Sequence, residues 1–469
     1  MRFEDQPVRM FEKTKFVAGD VPIYRQIADL IAERIMQGKL ATGDRLPPQR
    51  DIARMAGVNL TTITRAFADL QERGLVESRA GRGSIIADPS VNASFKSAPV
   101  DEQGFIDLSV NRPATTGYLQ ALATLMPQLP QDRRYPFLQD FHAPEGPGWA
   151  REAVADWLSP AAGINDPSRI IVTNGAQNGL ACVLGAVARQ GDTILADAVT
   201  YQGIGALCRS LDLNLRPVAM DCDGMLPDAL DRACDEFKPR ALFLVPTLHN
   251  PTTITLPAQR KGELAGIARK HGVLIVEDDV YRPLKADAPR ALASSDPDIT
   301  IHISGLSKCV APGLRFGAVL APKALIADIA AMLRINCWST SPLNALIATR
   351  MIEDGQVDRI VAGQREEFGR RQAVVREVLA DADLWTDDAS THFWLNLPEP
   401  WHANAFARAA AQAGVGVLSG EVFAVSRDSV PHAVRVNVGA ARSPEDLRRA
   451  LENLRDVVAG GRRLYETMI

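Results

Sequence analysis

Lys308 and Arg315 stand in one Ser/Gly-rich stretch, SGLSKCVAPGLRFG, which runs from Ser304 to Gly317. A lysine among small residues can approach an aldehyde and form a Schiff base. An arginine close by can clamp a phosphate with two parallel bonds. Other polar residues follow apolar runs. Asn250 comes after LFLVP, and Asp278 and Tyr281 come after LIV in LIVEDDVY. Acid at the end of an interior strand is costly unless it is paired, and a protonated ring nitrogen is a suitable partner. In NGAQNG, the N–H groups of Ala176 and Gln177 open a helix and can hold a phosphate. Each feature alone is ordinary. Most loop lysines are solvated, and many helices begin this way.

Taken together they ask for one ligand with an aldehyde, a phosphate and a pyridine nitrogen. Pyridoxal 5′-phosphate (PLP) has all three. The aspartate would keep the ring nitrogen protonated, and the lysine would form the imine.

The elements that must position these groups alternate. RIIVTNG, DTILAD, LRPVAM, RALFLVP, GVLIVED, ITIHIS and GAVL read as strands. QNGLACVLGAVARQ, YQGIGALCRSL and LPAQRKGELAGIARKH read as helices between them. This predicts a mostly parallel seven-stranded sheet covered by helices, with ligand groups at its strand ends. FIDLSVNRP is a short strand before it, and PEGPGWAREAVADWLSPAAGI carries a helix. After Pro322 the text turns helical. It ends on THFWLNL, VGVLSG and AVRVNVG, the strands of a smaller α/β lobe.

The first ninety residues differ. Ile23, Ile27, Leu30, Ile31 and Ile35 mark one face of a helix. QRDIARMAG is a second helix that Gly57 ends. NLTTITRAFADLQERG is a third, with Asn59 or Thr61 as cap. LATGDRLPP is a turn-rich link, and LVESRAGRGSIIA reads as a β-hairpin. This is a winged helix-turn-helix pattern. Thr61, Thr62 and Arg65 start the third helix, whose N-terminal residues enter a major groove. Arg50 starts the second helix, and Arg79 and Arg82 lie at the hairpin tip, all placed for phosphate or minor-groove contact. We place this domain at 1–88, a polar linker at 89–104 and the α/β domain at 105–469.

Composition sets bounds. A chain of 469 residues suggests roughly two to four domains, and 46% hydrophobic with 23% charged residues is ordinary for a globular protein. A net charge of -4 gives no global pull toward nucleic acid, so DNA contact rests on the local basic residues. The six cysteines are scattered without a CxxC pair, which fits a reducing cytoplasm. No signal-peptide core is visible, and no run of about 18 apolar residues exists to span a bilayer.

Residues 21–87 resemble the GntR family of winged-helix regulators, through GDRLPPQRDIARMAGVNLTTITRAFADLQERGLVESRAGRGSII. The resemblance implies DNA contacts by Arg50, Thr61, Thr62, Arg65 and the wing glycine Gly81, and operator binding as a dimer. Residues 107–455 resemble the fold-type I, class I/II aminotransferases, through NPTT and SGLSKCVAPGLRFG. That resemblance makes Lys308 the Schiff-base lysine, and sets Asp278 at the pyridine nitrogen. Tyr281 and Asn250 would bond the ring's 3-oxygen, and Tyr201 would stack on the ring. Ala176, Gln177, Ser307 and Arg315 would hold the phosphate. Arg435 would take a substrate carboxylate, and Asn111 would lie on the segment that folds over the substrate. His249 is a further possible contact. Three positions depart from the pattern: Thr253 and Gly305, in place of a glycine and of a Ser or Thr, and Phe141, in place of a tyrosine that reaches across the dimer.

The two halves joined resemble the MocR subfamily. This implies a homodimeric transcriptional regulator of double-stranded operator DNA that senses PLP, or PLP with an amino compound. A turning-over aminotransferase with an accessory DNA-binding domain stays open, as does a DNA-binding protein with an empty scaffold. Steady-state transamination and a cofactor absorption band discriminate among the three.

Overall fold

The structure is a computed structural model. It describes residues 22–36, 40, 43–72, 75–79, 83–86, 104–113, 116–399, 401–426 and 430–466. The chain forms two compact units, Met1–Ser97 and Ala98–Ile469.

In the first unit, α1 (Ile23–Met36), α2 (Gln49–Ala56) and α3 (Leu60–Glu72) precede a hairpin of β1 (Val76–Arg79) and β2 (Gly83–Ile86). The expected periodicity is realised as burial. Ile27 and Ile31 of α1, Ile52 of α2, and Ile63, Phe67 and Leu70 of α3 pack into one core with Val76 and Ile86. Gly57 stops α2 because it adopts φ 64, a left-handed conformation that glycine takes without steric cost. Asn59 Oδ1 accepts from the Thr61 N–H at 3.4 Å, as the cap reading expected. The end of the link before α2 pairs with the hairpin. Arg45 bridges Ile85, and Leu46 N–H donates to Ser84 O at 2.9 Å, so these two residues add an edge to the hairpin. Gly81, Arg82 and most of the expected linker lie outside the described residues.

The second unit opens on β3 (Ile106–Asp107), then α4 (Thr116–Leu125) and α5 (Gly148–Ala162). The seven expected strands all form: β4 (Ile170–Thr173), β5 (Thr193–Asp197), β6 (Asn214–Val218), then, after a small β7–β8 hairpin (Met220–Asp221, Gly224–Met225), β9 (Ala241–Leu244), β10 (Leu274–Asp278), β11 (Thr300–Gly305) and β12 (Gly317–Leu320). Their order is β4-β12-β11-β10-β9-β5-β6. Only β12 runs antiparallel to its neighbours. The central strands are buried on both faces and so show no polar alternation. Covering helices are α6 (Ala176–Val187), α7 (Gln202–Ser210), α8 (Pro227–Phe237) and α9 (Ala258–His271). Sequence reading missed α8, since only Leu230, Ala233 and Cys234 of it are buried.

The helical stretch is α10 (Lys323–Cys337), α11 (Pro342–Glu353) and α12 (Gln356–Val378). The small lobe holds β13 (Leu384–Trp385), β14 (His392–Asn396), α13 (Ala403–Gln412), β15 (Val415–Gly416), β16 (Leu418–Ser419), β17 (Ala433–Asn437) and α14 (Pro444–Glu466). Its antiparallel sheet has the order β13-β14-β17-β16. VGVLSG, expected as one strand, divides at Val417. β15 pairs with β3 in parallel, and β16 pairs with β17. Among the described residues no helix is long and apolar enough to cross a membrane.

Candidate functional site

The ends of β5, β9, β10 and β11 bring the expected residues together. Asp278, the last residue of β10, is 6% exposed, and its buried Oδ1 has no hydrogen-bond partner among the described residues. Burial, helped by Asp279, pushes its carboxyl up to about 7, while Lys308 and His302 pull it back. The half-buried Lys308 follows β11, and its Nζ donates to Asn111 O at 2.8 Å. Burial first, then the Arg435 and Arg315 charges, lower this amine to about 8, against the pull of Asp278. A lysine with that pKa is partly a free nucleophile near neutral pH.

Tyr281 is 2% exposed, and its hydroxyl accepts from Asn111 Nδ2 at 2.9 Å. Burial pushes its phenol up, so it stays a donor. Tyr201 follows β5 and donates to Gln177 Oε1 at 2.8 Å. Asn250, beyond β9, accepts from Arg435 Nη1 at 2.8 Å. Thr253, the residue in place of the motif's glycine, sits at φ 65, where a β-branched side chain is strained.

Arg315 and the start of α6 form a cradle. Gly175 has φ 89, and a Cβ there would lie 2.6 Å from Arg315 Nη2. A Cβ on Gly317 would lie 2.6 Å from Ala176 N. Both positions must therefore be glycine for the arginine and the helix N-terminus to come this close. Arg315 Nη2 donates to Asn174 O at 2.9 Å, and its side chain is otherwise exposed. Gly305 has a packing reason for lacking a side chain, since a Cβ would meet Phe316 O at 3.1 Å. Ser307 is half-buried beside Lys308.

Arg435, on β17, is 2% exposed. Its Nη2 donates to Ser109 O at 2.7 Å, its guanidinium lies 4.9 Å from the Phe423 ring centroid, and its buried Nε has no partner among the described residues. Burial lowers it to about 10, and it remains a cation at neutral pH. An anion would meet an N–H with nothing else to bind.

Four polar groups here escaped the sequence reading. His392 Nε2 lies 3.2 Å from His249 O, and Nδ1 lies 3.1 Å from Asn111 Nδ2. Thr391 and Asn437 also bond Asn111. Asp197 Oδ2 lies 3.6 Å from His249 Nε2. Burial pushes Asp197 up to about 7 and His249 down to about 3, so near neutral pH the imidazole is neutral and the carboxyl only partly ionised. Asp197 ends a strand as Asp278 does, a signal that was available in DTILAD. The charged cluster on Glu277 is separate. Glu277 accepts from Leu292 N–H at 2.8 Å and pairs with His302 at 2.9 Å, and Lys261 is 3.9 Å away.

In the first unit, Arg50, Thr61 and Arg65 are exposed and Thr62 is half-buried. The polar N-terminal face of α3 is thus open, while Ile63, Ala66 and Phe67 face the core.

The donor set fits pyridoxal 5′-phosphate. The orphaned Asp278 oxygen suits a ring N–H, the Lys308 amine an aldehyde, and the glycine-lined Arg315 cradle a phosphate. Comparisons agree with the fold. An aminotransferase class I and II model matches residues 103–454, and the model of bacterial regulatory proteins of the gntR family matches residues 23–86. An HTH-type transcriptional regulator of Bacillus subtilis, YdeF, is 29% identical over 453 residues, 97% of each chain. The vitamin B6 salvage pathway transcriptional repressor PtsJ of Salmonella typhimurium is 28% identical over 428 residues, 90% of this chain and 95% of its own. The kynurenine aminotransferase structure of Pyrococcus horikoshii superposes with a TM-score of 0.73 at 19% identity, covering 80% of this chain and 95% of that one. This chain belongs to the aminotransferase class I and II family, and with a gntR-family domain ahead of it, it is a regulator of the GntR/MocR type.

Proposed function

We propose that this protein is a PLP-dependent transcriptional regulator, whose large unit detects an amino compound bearing an acidic group and thereby sets operator binding by the first unit. It works as a homodimer in the bacterial cytoplasm, on nucleoid DNA. When bound, PLP supplies an electrophilic carbon that exchanges amines and a ring that withdraws electrons. Lys308 would present its free amine to that carbon. Asp278 holds a proton at the ring nitrogen, and Tyr281 and Asn250 bond the 3-oxygen. Tyr201 covers the ring face. The Ala176 and Gln177 N–H groups, Ser307 and Arg315 hold the phosphate. Arg435 orients the effector's acid. Arg50, Thr61, Thr62, Arg65 and Gly81 contact DNA.

One observation carries the sensing role. Arg435 and Lys308 donate to the main-chain carbonyls of Ser109 and Asn111, two residues apart on one segment. That segment begins just after the proposed linker. A bound acid would compete with Ser109 O for Arg435, and a cofactor held by Lys308 would compete with Asn111 O for its amine. Both ligands thereby act on the chain leading to the DNA-binding unit. An exposed apolar cluster supports the dimer. Phe141 is 87% and Ile335 76% exposed, and the Phe141 ring lies 5.5 Å from that of Trp338, tilted by 55°.

The test is DNA binding to the protein's own upstream region, with and without PLP and a panel of amines. Lys308→Ala should abolish the visible cofactor band and the response to amines; if both survive, the reading fails. The alternative of an active aminotransferase has one observation in its favour, the Lys308 amine lowered to about 8 beside Asp278. Steady-state conversion of an amino donor with a keto acceptor would establish it.

A further inference from the structure

Asn111 is 8% exposed, and its side-chain amide is fully engaged. Nδ2 donates to the Tyr281 hydroxyl at 2.9 Å and to His392 Nδ1 at 3.1 Å. Oδ1 accepts from Asn437 Nδ2 at 2.7 Å and from the Thr391 hydroxyl. The direction of these bonds can be read from one end. Asn437 Nδ2 also donates to the Thr391 carbonyl at 2.7 Å, and a carbonyl only accepts. Asn437 must therefore present N–H groups here, so the Asn111 atom facing it is the oxygen. The Asn111 nitrogen then faces Tyr281 and His392. His392 agrees, since Nδ1 accepts from Asn111 and Nε2 donates to His249 O at 3.2 Å. Burial and the nearby Arg435 charge hold this imidazole well below its ordinary pKa, so it is neutral and keeps that tautomer.

The consequence falls on Tyr281. Its oxygen receives an N–H, so its own proton must point away from Asn111. Among the described residues that hydroxyl makes no other side-chain hydrogen bond. We propose that Asn111 is a positioning residue that aims the Tyr281 proton at the cofactor's ring oxygen, and that it makes no effector contact through its side chain. This rests on the PLP reading given above. The chain of bonds runs from the carbonyl of Thr391, just before β14, through Asn437 of β17 and Asn111 to Tyr281, and so ties the small lobe to the orientation of one proton on the large lobe.

A proton donated to the ring oxygen favours its deprotonated form and lowers the pH at which the cofactor's visible absorbance titrates. Without the Asn111 N–H, the phenol is free to turn and donates less well. The experiment is a pH titration of that absorbance in the full-length, PLP-loaded protein. Asn111→Ala should raise the midpoint by about half a pH unit or more. In a Tyr281→Phe background the same substitution should add no shift, because the proton it aims is absent. Asn111→Ser, which also lacks the amide donor, takes its place if the alanine variant does not fold. An unmoved midpoint would overturn the proposal. So would an equal shift in the Tyr281→Phe background, or an unmoved midpoint with weaker amine binding, which would return Asn111 to direct effector contact. Failure of the PLP reading looks different, as the unsubstituted protein would then show no visible band.

Discussion

Asp278 carries a penalty that its partner relieves. Without a ring N–H beside it, its carboxyl is raised to about 7 from an ordinary 3.8. The folded protein therefore binds more protons than the unfolded chain between these two values. Stability from this group is full below the unfolded value and is lost as pH rises through about 7. Asp278→Asn removes the penalty. The cofactor-free protein should gain about 1–3 kcal/mol above pH 7, with little change near pH 4, while its affinity for PLP falls. Denaturant melts at the two pH values measure the first effect, and absorbance titration with PLP measures the second. The cradle makes a sharper demand. Gly175→Ala places a Cβ 2.6 Å from Arg315 Nη2 at φ 89, so either the arginine or the loop must move. We expect at least a tenfold weaker affinity for PLP, roughly the 1.4 kcal/mol of one good phosphate contact. An unchanged affinity would mean that Arg315 does not hold the phosphate.

At the scale of elements, α3 divides its labour between two faces. Ile63, Phe67 and Leu70 anchor the helix, while Arg65 and Thr61 remain outside. Arg65→Ala should therefore spare folding and weaken operator binding about 5- to 100-fold. The visible cofactor band should stay as it was, and fluorescence anisotropy at several salt concentrations reads both the affinity and the salt slope. In the large unit, β3 and β15 show how an element's partner can matter more than its propensity. Each is two residues long, and neither would persist without the other. Their pairing holds the segment whose carbonyls receive Lys308 and Arg435.

The whole molecule is two compact units, and the larger exposes an aromatic cluster that a monomer rarely keeps in water. Arg334 lies 4.7 Å from the Trp338 ring centroid, which holds that ring in place beside Phe141. Phe141→Asp should convert a dimer to monomers in analytical ultracentrifugation while leaving the circular dichroism spectrum unchanged. A protein already monomeric before the substitution would remove the dimer from the proposed function. Much of this architecture was legible beforehand. The inner strands of the seven-stranded sheet, such as β9 and β12, are continuous apolar runs because helices cover both faces, whereas the edge strand β6 keeps polar residues at alternate positions. That Lys308, Asp278, Tyr281, Asn250 and Arg315 lie beside strand ends was legible because strand ends are local features of the text. The third helix and its cap were legible for the same reason.

Only the tertiary structure decided the rest. The Asn111 network joins residues 170 to 326 positions apart, and no periodicity records which distant amide meets which hydroxyl. VGVLSG divides because its two ends pair with different strands, a choice made by β3 and β17 and not by its own residues. Composition and spacing determined which chemical groups the protein possesses and on which elements they lie. The direction of each bond, and so the aim of the Tyr281 proton, depends on a chain of donors and acceptors that exists only when both lobes are folded together.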